Sequence, residues 1–154
     1  MSLFRVPITN WKKSVYKAAL FESAPEFQAA LLLDGDVSVR WWFRNDPVQF
    51  RISTPAGHFE PDFVYEVKSK DLVTMRILEV KGEHLWNGPG SVARIKAAGA
   101  ISWAAAIAAA KIDPLWEFHE VLGQDAENST TLGGMLDKAV ERFETKSAVL
   151  GGKN

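Results

Sequence analysis

The sequence predicts a single α/β domain in which a largely antiparallel sheet is covered by helices. Its 154 residues, 47% of them hydrophobic, are enough for one globular domain with a sizeable core. Segments rich in β-branched and aromatic residues follow one another closely in the middle of the chain, with connections too short to hold a helix. Segments with helical spacing of apolar residues flank them, so helices and strands are expected to pack on each other.

The first helical region is predicted between Ser14 and Leu33, where apolar residues recur near the spacing of one helix face. Pro25 interrupts it. Because proline suits the first turn of a helix, we expect a second helix to begin at Ser23–Pro25 and to end at Asp34–Asp36.

Four strands are predicted next, separated by short runs of turn-forming residues. Such short connections favour pairing of successive strands in an antiparallel meander. The four segments are Val37–Phe43, Phe50–Ser53, His58–Val67 and Val73–Lys81.

The remainder of the chain predicts a helix, a strand and a helix. The helix runs from about Ser91 to Lys111, and Trp116–Leu122 alternates with the period of a half-buried strand. A last amphipathic helix covers Leu132 to about Ser147. We expect a domain core at residues 14–123 and a C-terminal helical extension at 124–154, detached enough to pack on a second copy of the chain.

Composition excludes several kinds of site. The chain has no cysteine, which excludes a disulfide scaffold, a thiolate zinc site and a cysteine nucleophile, and suits the cytoplasm, where we expect the protein. Its three histidines lie far apart in sequence, so a bound metal would need oxygen ligands. The apolar stretch Ala97–Ala110 is shorter than the roughly 20 residues that span a bilayer, so no membrane association is expected. No secretory signal is visible, and whether the chain is a stand-alone protein or an excised fragment stays open.

Charge gives a weaker indication of the partner. With 18 Lys+Arg and 19 Asp+Glu, the net charge of −1 neither demands nor forbids a polyanion. No Gly-x4-Gly-Lys-Ser/Thr loop is present, so the chain has no ATPase motor of its own. We expect the basic residues between Arg40 and Lys96 to concentrate around the candidate site. These residues are Arg40, Arg44, Arg51, Lys68, Lys70, Arg76, Lys81, Arg94 and Lys96.

Glu79 and Lys81 are the first candidate site residues. They lie two positions apart on a predicted strand and therefore share one of its faces, between apolar neighbours that indicate burial. A buried carboxylate is destabilising by several kcal/mol unless something compensates its charge. Lys81 lies about 7 Å along the strand and is not expected to be a good direct partner. A divalent cation would compensate Glu79 instead.

Asp62 lies on the preceding strand and is expected to face Glu79. It comes about eight residues before a turn centred near Ser69–Lys70, and Glu79 about nine residues after it. The two are therefore roughly level across the hairpin, with a slip of one residue left open. Two converging carboxylates supply the oxygen ligands that Mg²⁺ prefers.

These residues resemble a known motif. Pro61-Asp62 followed by Glu79-Val80-Lys81 resembles the PD-(D/E)XK nuclease motif. Over roughly Glu22 to Trp103, an ordered set of segments is similar to the C-terminal nuclease region of type III restriction endonuclease subunits and of helicase-linked nucleases. The segments are Trp41–Asn45, Phe50–Gly57, Pro61–Val64 and Leu78–Gly82. The resemblance implies a restriction-endonuclease-like three-layer sandwich with a mixed sheet between helices.

The resemblance also implies roles. Asp62, Glu79 and the Val80 carbonyl would ligate Mg²⁺, for which Mn²⁺ can substitute, and Lys81 would orient water or stabilise charge on the phosphate. Glu26 matches an acid on the helix before the sheet, with Glu22 as the rival assignment. Arg94 and Lys96 match basic positions that contact phosphates. Arg44 is a candidate for contact with the DNA backbone on its residue type alone.

The predicted function is therefore metal-dependent hydrolysis of DNA phosphodiester bonds, with a helicase or modification subunit as a candidate partner. Two alternatives remain: a non-catalytic nucleic-acid-binding or assembly domain of the same fold, and an unrelated small-molecule enzyme. Glu79 with Lys81 can also be read as a surface ion pair on an edge strand, and Asp62 as a turn cap. We expect the tryptophans to be core residues rather than base-stacking platforms.

Overall fold

The computed structural model describes residues 6–82 and 92–139, with side chains described from residue 95 in the second stretch. The predicted loop before the long helix, His84 and the helix beyond residue 139 lie outside the described residues, as does the side chain of Arg94. Within these two stretches, none of the helices combines the length and hydropathy needed to cross a bilayer.

Helices and strands follow in the predicted mixture. In chain order they are α1 (Ala24–Gly35), β1 (Val39–Arg44), β2 (Ile52–Thr54), β3 (Gly57–Phe59), β4 (Phe63–Ser69), β5 (Leu72–Lys81), α2 (Val92–Ala109), β6 (Leu115–Leu122), α3 (Gly123–Asn128) and α4 (residues 132–139).

A four-stranded mixed sheet organises the fold, in the order β1-β4-β5-β6. The pairs β1–β4 and β4–β5 are antiparallel, whereas β6 runs parallel to β5 because α2 carries the chain back across the sheet. One face packs in a core that contains Leu33 of α1, Phe63 of β4 and Met135 of α4. The other packs Ile77 against Ala100 of α2. The predicted α/β class, with a mixed sheet between helices, is confirmed.

The predicted helix between Ser14 and Glu22 is wrong. This segment is irregular, with bends and isolated bridges, and its backbone hydrogen-bonds to the open side of β1 through Val15 N to Trp42 O (2.9 Å) and Trp42 N to Lys13 O (3.1 Å). The segment thus covers an edge strand whose backbone groups would otherwise be unpaired. Because this tertiary pairing satisfies the backbone, the helical spacing of apolar residues does not produce a helix.

The predicted strand His58–Val67 is interrupted at Pro61, which has no N–H to contribute to a ladder. The short strands β2 and β3 pair only with each other, and this hairpin packs on α2. The predicted meander is therefore observed in part: β2 pairs with β3 and β4 with β5, whereas β1 pairs with β4.

The described part of the C-terminal extension, residues 124–139, is not detached from the core. Leu132, Met135 and Leu136 are buried in the same core as α1 and the sheet. These side chains are therefore not exposed to a second copy, and the expected packing of this helix on a dimer partner receives no support.

Candidate active site

The ends of β4 and β5 bring Asp62 level with Glu79. The last pair of the ladder is Phe63 with Leu78, and one further step joins positions 62 and 79. Asp62 Oδ2 accepts a hydrogen bond from Val80 N at 2.8 Å, which fixes the carboxyl against the end of β5. The register predicted from the hairpin is therefore the one observed, without a slip.

Asn45 fixes the backbone around Asp62 through hydrogen bonds. Asn45 is 3% exposed, and its Nδ2 donates to Pro61 O at 2.9 Å and to Phe50 O at 2.8 Å. Its backbone N–H donates to Asp62 O at 2.8 Å. Asn45 thus connects the loop after β1 to the break before β4. Sequence reasoning missed this residue, since an asparagine before Asp46-Pro47 indicates only a turn.

The carboxyl groups of Asp62 and Glu79 lie close enough to interact directly. Burial raises the pKa of Asp62 well above its usual range, and the hydrogen bond and repulsion with Glu79 raise it further. Arg44 and the Val80 N–H act in the opposite direction without cancelling the effect. The site therefore disfavours two ionised carboxylates unless positive charge is added.

Glu26 adds a third acidic group from α1. Ser23 caps this helix, Pro25 stands in its first turn, and Glu26 is 6% exposed. Burial and repulsion from Asp62 raise the pKa of Glu26, against the lowering effect of Arg44. Glu22 is exposed and reaches Glu26 only through its backbone N–H, at 2.8 Å. Of the two rival helix acids, the structure brings Glu26 next to Asp62.

Arg44 is the internal cation of this cluster. Its Nη2 lies 3.2 Å from Glu26 Oε1, and its Nη1 lies 3.1 Å from Asp62 Oδ1 and 3.0 Å from Asp62 O. Nε donates to Leu20 O at 3.1 Å, and the guanidinium lies over the ring of Phe63. With Arg44 only 6% exposed, this position argues against the predicted contact with a DNA backbone.

Lys81 pairs directly with Glu79, contrary to the expectation that their spacing along the strand keeps them apart. Lys81 Nζ lies 3.2 Å from Glu79 Oε2, since the two long side chains share one face of the strand and can reach each other. Burial would lower the pKa of Lys81, but Glu79, Asp62 and Glu120 together raise it above its usual value. The strand β5 lies between β4 and β6, so this pair is not on an edge strand.

Glu120 is a second residue that sequence reasoning missed. It lies opposite Glu79 in the parallel ladder between β5 and β6, and its charge acts on Lys81. The period-two alternation along β6 predicts that Glu120 shares one face of the strand with Trp116 and Phe118. Its neighbour in the sheet could not be identified before the register of the parallel pair was known.

A cavity of about 180 Å³ opens in front of Glu79 and Lys81. The hairpin β2–β3 and α2 supply its other walls. The lining residues are His58, Phe59, Glu60, Glu79, Lys81 and Lys96. Since one water molecule occupies about 30 Å³ in the liquid, the volume suits a phosphate group with a few waters. The predicted phosphate contact Lys96 is thus at the cavity.

The other basic residues do not concentrate there. Arg40 pairs with Glu66 at 3.5 Å, and Lys68 lies near the turn at the far end of the β4–β5 hairpin. Arg76 pairs with Glu117 at 3.1 Å. The expectation of a basic surface made by the whole stretch is therefore wrong, because acidic neighbours on adjacent strands neutralise several of these residues.

The tryptophans behave as predicted where they are described. Trp42 is completely buried, and Trp41, Trp103 and Trp116 are partly buried against the core on the α2 side of the sheet. Trp103 and Trp116 contact each other edge to face, with ring centroids 5.2 Å apart. Packing therefore accounts for these rings.

The two neighbouring carboxyls of Asp62 and Glu79 are oxygen groups of the type that divalent cations bind. Within residues 6–82 and 92–139, no three Asp, Glu or His side chains are arranged to hold a metal ion together. Mg²⁺, however, is commonly bound through one or two carboxylates and keeps several waters. The repulsion between Asp62 and Glu79 is the feature that such an ion would relieve.

Comparison with known proteins gives one match. A family model described as an endonuclease domain matches residues 12–104, which is more than half of the chain and includes Glu26, Asp62, Glu79 and Lys81. Comparison with curated proteins and with solved structures found no match.

Proposed function

The chain belongs to the endonuclease-domain family, of restriction-endonuclease-like nucleases, and on this premise we propose that it hydrolyses DNA phosphodiester bonds with a divalent cation at Asp62 and Glu79. The observation that carries the proposal is the approach of these two carboxyls at the end of the sheet, with the Lys81 ammonium 3.2 Å from Glu79. A phosphodiester is anionic and repels hydroxide, so its hydrolysis needs positive charge beside a site for water.

We propose Mg²⁺ as the cation, with Mn²⁺ as a substitute. Asp62, Glu79 and the Val80 carbonyl would hold it. When bound, the ion supplies positive charge that activates water and neutralises the phosphate. Asp62 is prepared for this role because Val80 N and Arg44 Nη1 already fix its two oxygens, so that little side-chain freedom is lost on binding.

Lys81 supplies the second positive charge. Its ammonium stays protonated near neutral pH because the surrounding carboxylates raise its pKa. From the cavity wall it can hydrogen-bond to a phosphate oxygen or orient the attacking water, and so stabilise the charge that develops on phosphorus. Lys96 faces the same cavity and supports the substrate phosphate as a point charge.

Glu26 is linked to the site through Arg44, which contacts both Glu26 and Asp62. Through Arg44 it is part of one buried network with Asp62, and its own carboxyl lies close enough to Asp62 to repel it. We propose that Glu26 assists the ion through water. The basic position Arg94, at the start of α2, remains a predicted phosphate contact.

The system in which the nuclease works is proposed from the sequence resemblance alone. The likeness to type III restriction subunits and helicase-linked nucleases suggests a motor or modification subunit as partner. These 154 residues contain no Walker-type phosphate loop.

Plasmid cleavage tests the proposal. The protein is incubated with supercoiled plasmid in Mg²⁺, in Mn²⁺ and in EDTA, and the same assay is run on Asp62→Asn and Lys81→Met. We expect cleavage only with a divalent ion, and a loss of about a hundredfold or more in both variants. Asp71→Asn and Lys68→Met are matched controls, since both residues are exposed at the other end of the same hairpin.

Retained DNA binding without cleavage by the parent protein would instead support the non-catalytic module. Cleavage that survives in both site variants would place the active centre elsewhere.

A further inference from the structure

The β2–β3 hairpin packs against α2 as well as against the sheet. At Gly99 the helix approaches so closely that a Cβ there would lie 2.6 Å from Thr54 Cγ2 and 2.9 Å from Thr54 Cβ. Thr54 in turn closes the hairpin, with Oγ1 donating to Gly57 O at 2.6 Å and accepting from Ala56 N at 3.2 Å. The hairpin and α2 therefore form one closely packed wall.

This wall carries His58 to the cavity in front of Glu79 and Lys81. His58 is on β3, paired with Ser53 across the hairpin, and its Nδ1 lies 3.5 Å from Ser53 Oγ. Among the described residues, its Nε2 has no hydrogen-bond partner. The imidazole is exposed, so a group that enters the cavity can reach it without displacing protein atoms.

The other described polar groups that line the cavity offer few hydrogen-bond donors to an anion. Glu60 and Glu79 can only accept hydrogen bonds when ionised, and the ion pair with Glu79 takes up part of the donor capacity of Lys81. Lys96 is a donor, but it is a flexible chain on a helix, whereas a short side chain on a strand holds its donor more precisely. Glu60 lies 3.9 Å from Arg51, which reduces its repulsion of an anion.

We propose that His58 is a further catalytic residue, which donates a hydrogen bond to an oxygen of the scissile phosphate from the hairpin that lines the cavity. The inference rests on the proposed nuclease function. The phosphate is then held from two sides, by the ends of β4 and β5 on one and by the hairpin on the other. No covalent step is assigned to His58.

Two substitutions separate hydrogen bonding from packing. His58→Phe keeps a ring without a donor, and His58→Gln keeps an N–H donor without the ring. On a linear DNA substrate with Mg²⁺, we expect His58→Phe to lower kcat by about ten- to a hundredfold, with a smaller change in KM, and His58→Gln to recover much of the loss. Lys68→Met is the control, because Lys68 is exposed at the far end of the β4–β5 hairpin and does not line the cavity.

A second measurement does not depend on turnover. In EDTA, where the nuclease is expected to be inactive, a short single-stranded oligonucleotide is titrated into ¹⁵N-histidine-labelled protein. We expect the His58 Nε2 resonance to shift and that of His119 to stay, since His119 lies on the opposite face of the sheet from the cavity.

The outcomes distinguish the two proposals. If Asp62→Asn abolishes cleavage while His58→Phe cuts at the parental rate, the nuclease function stands and the role of His58 is refuted. Equal losses in His58→Phe and His58→Gln, with no shift of the Nε2 resonance, also overturn the contact. A parent protein that never cuts refutes the proposed function itself.

Discussion

Replacing Arg44 with methionine should destabilise the protein far more than removing any exposed arginine. The guanidinium is 6% exposed and compensates two buried carboxyls, Glu26 at 3.2 Å and Asp62 at 3.1 Å, and also serves two backbone carbonyls. Breaking a buried ion pair by removing one partner costs about 3–5 kcal/mol, because the other charge stays buried. We expect a loss of that size at pH 7.

Urea unfolding followed by tryptophan fluorescence measures this loss, with an expected fall of about 2 M in the midpoint for a domain of this size. The control is Arg40→Met, whose ion pair with Glu66 is half exposed on the arginine side and should change stability by at most about 1 kcal/mol. Arg44→Lys keeps the charge but not the forked geometry, so an intermediate loss is expected.

The pH dependence gives the sharper refutation. Arg44 lowers the pKa of both Glu26 and Asp62, so its removal raises these values further in the folded state. The folded state of the variant then binds protons more tightly than the unfolded chain. Its stability therefore falls as the pH rises from the pKa of these carboxyls in the unfolded chain to their raised pKa in the folded state. The difference from the parent should be largest at neutral pH and shrink towards about pH 4. A loss below 1 kcal/mol, or one that is independent of pH, would contradict the buried network.

Two further predictions concern the cation and the hairpin. Because the pKa of Asp62 is raised, ionisation of this carboxyl lowers the stability of the folded state as the pH rises. Mg²⁺ should therefore raise the melting temperature at pH 7.5 but not at pH 4.5, as measured by differential scanning fluorimetry. The same rise in Asp62→Asn would exclude this site. Gly99→Ala should push the hairpin away from α2 and lower the rate of plasmid cleavage about tenfold or more, because small displacements of groups that contact the substrate slow the reaction. The control is Gly133→Ala, also in a helix, where a Cβ meets open space and cleavage should be normal. Equal rates in both variants would show that contact between the hairpin and α2 is not needed.

Local patterns predicted much of the fold. The period-two alternation of Trp116–Leu122 and the long apolar run before it are observed as β6 and α2, since burial of one face or stripe follows directly from the spacing of apolar residues. The same argument failed for Ser14–Glu22. There the backbone pairs with β1, a distant strand, and this long-range pairing outweighs the local pattern.

In the candidate site, too, local contacts could be predicted from the sequence and long-range contacts could not. Asp62 and Glu79 could be placed level from the sequence because a short hairpin fixes the register between adjacent strands. Arg44 and Asn45 could not be assigned to the support of Asp62, because their contacts cross 18 and 16 residues of chain and depend on where β1 pairs. The neighbour Glu120 depends on a parallel register that no turn sets.

By itself, the sequence determined the α/β class and the meeting of Asp62 with Glu79, since the spacing of apolar residues and the geometry of a hairpin are local properties. Only the tertiary structure decided that Arg44 is an internal cation rather than a surface contact, that Glu26 rather than Glu22 approaches Asp62, and that the β2–β3 hairpin closes the cavity with His58. The physical reason is that burial, and with it the strength of each charge, is set by elements far apart in the chain that pack together only in the folded state.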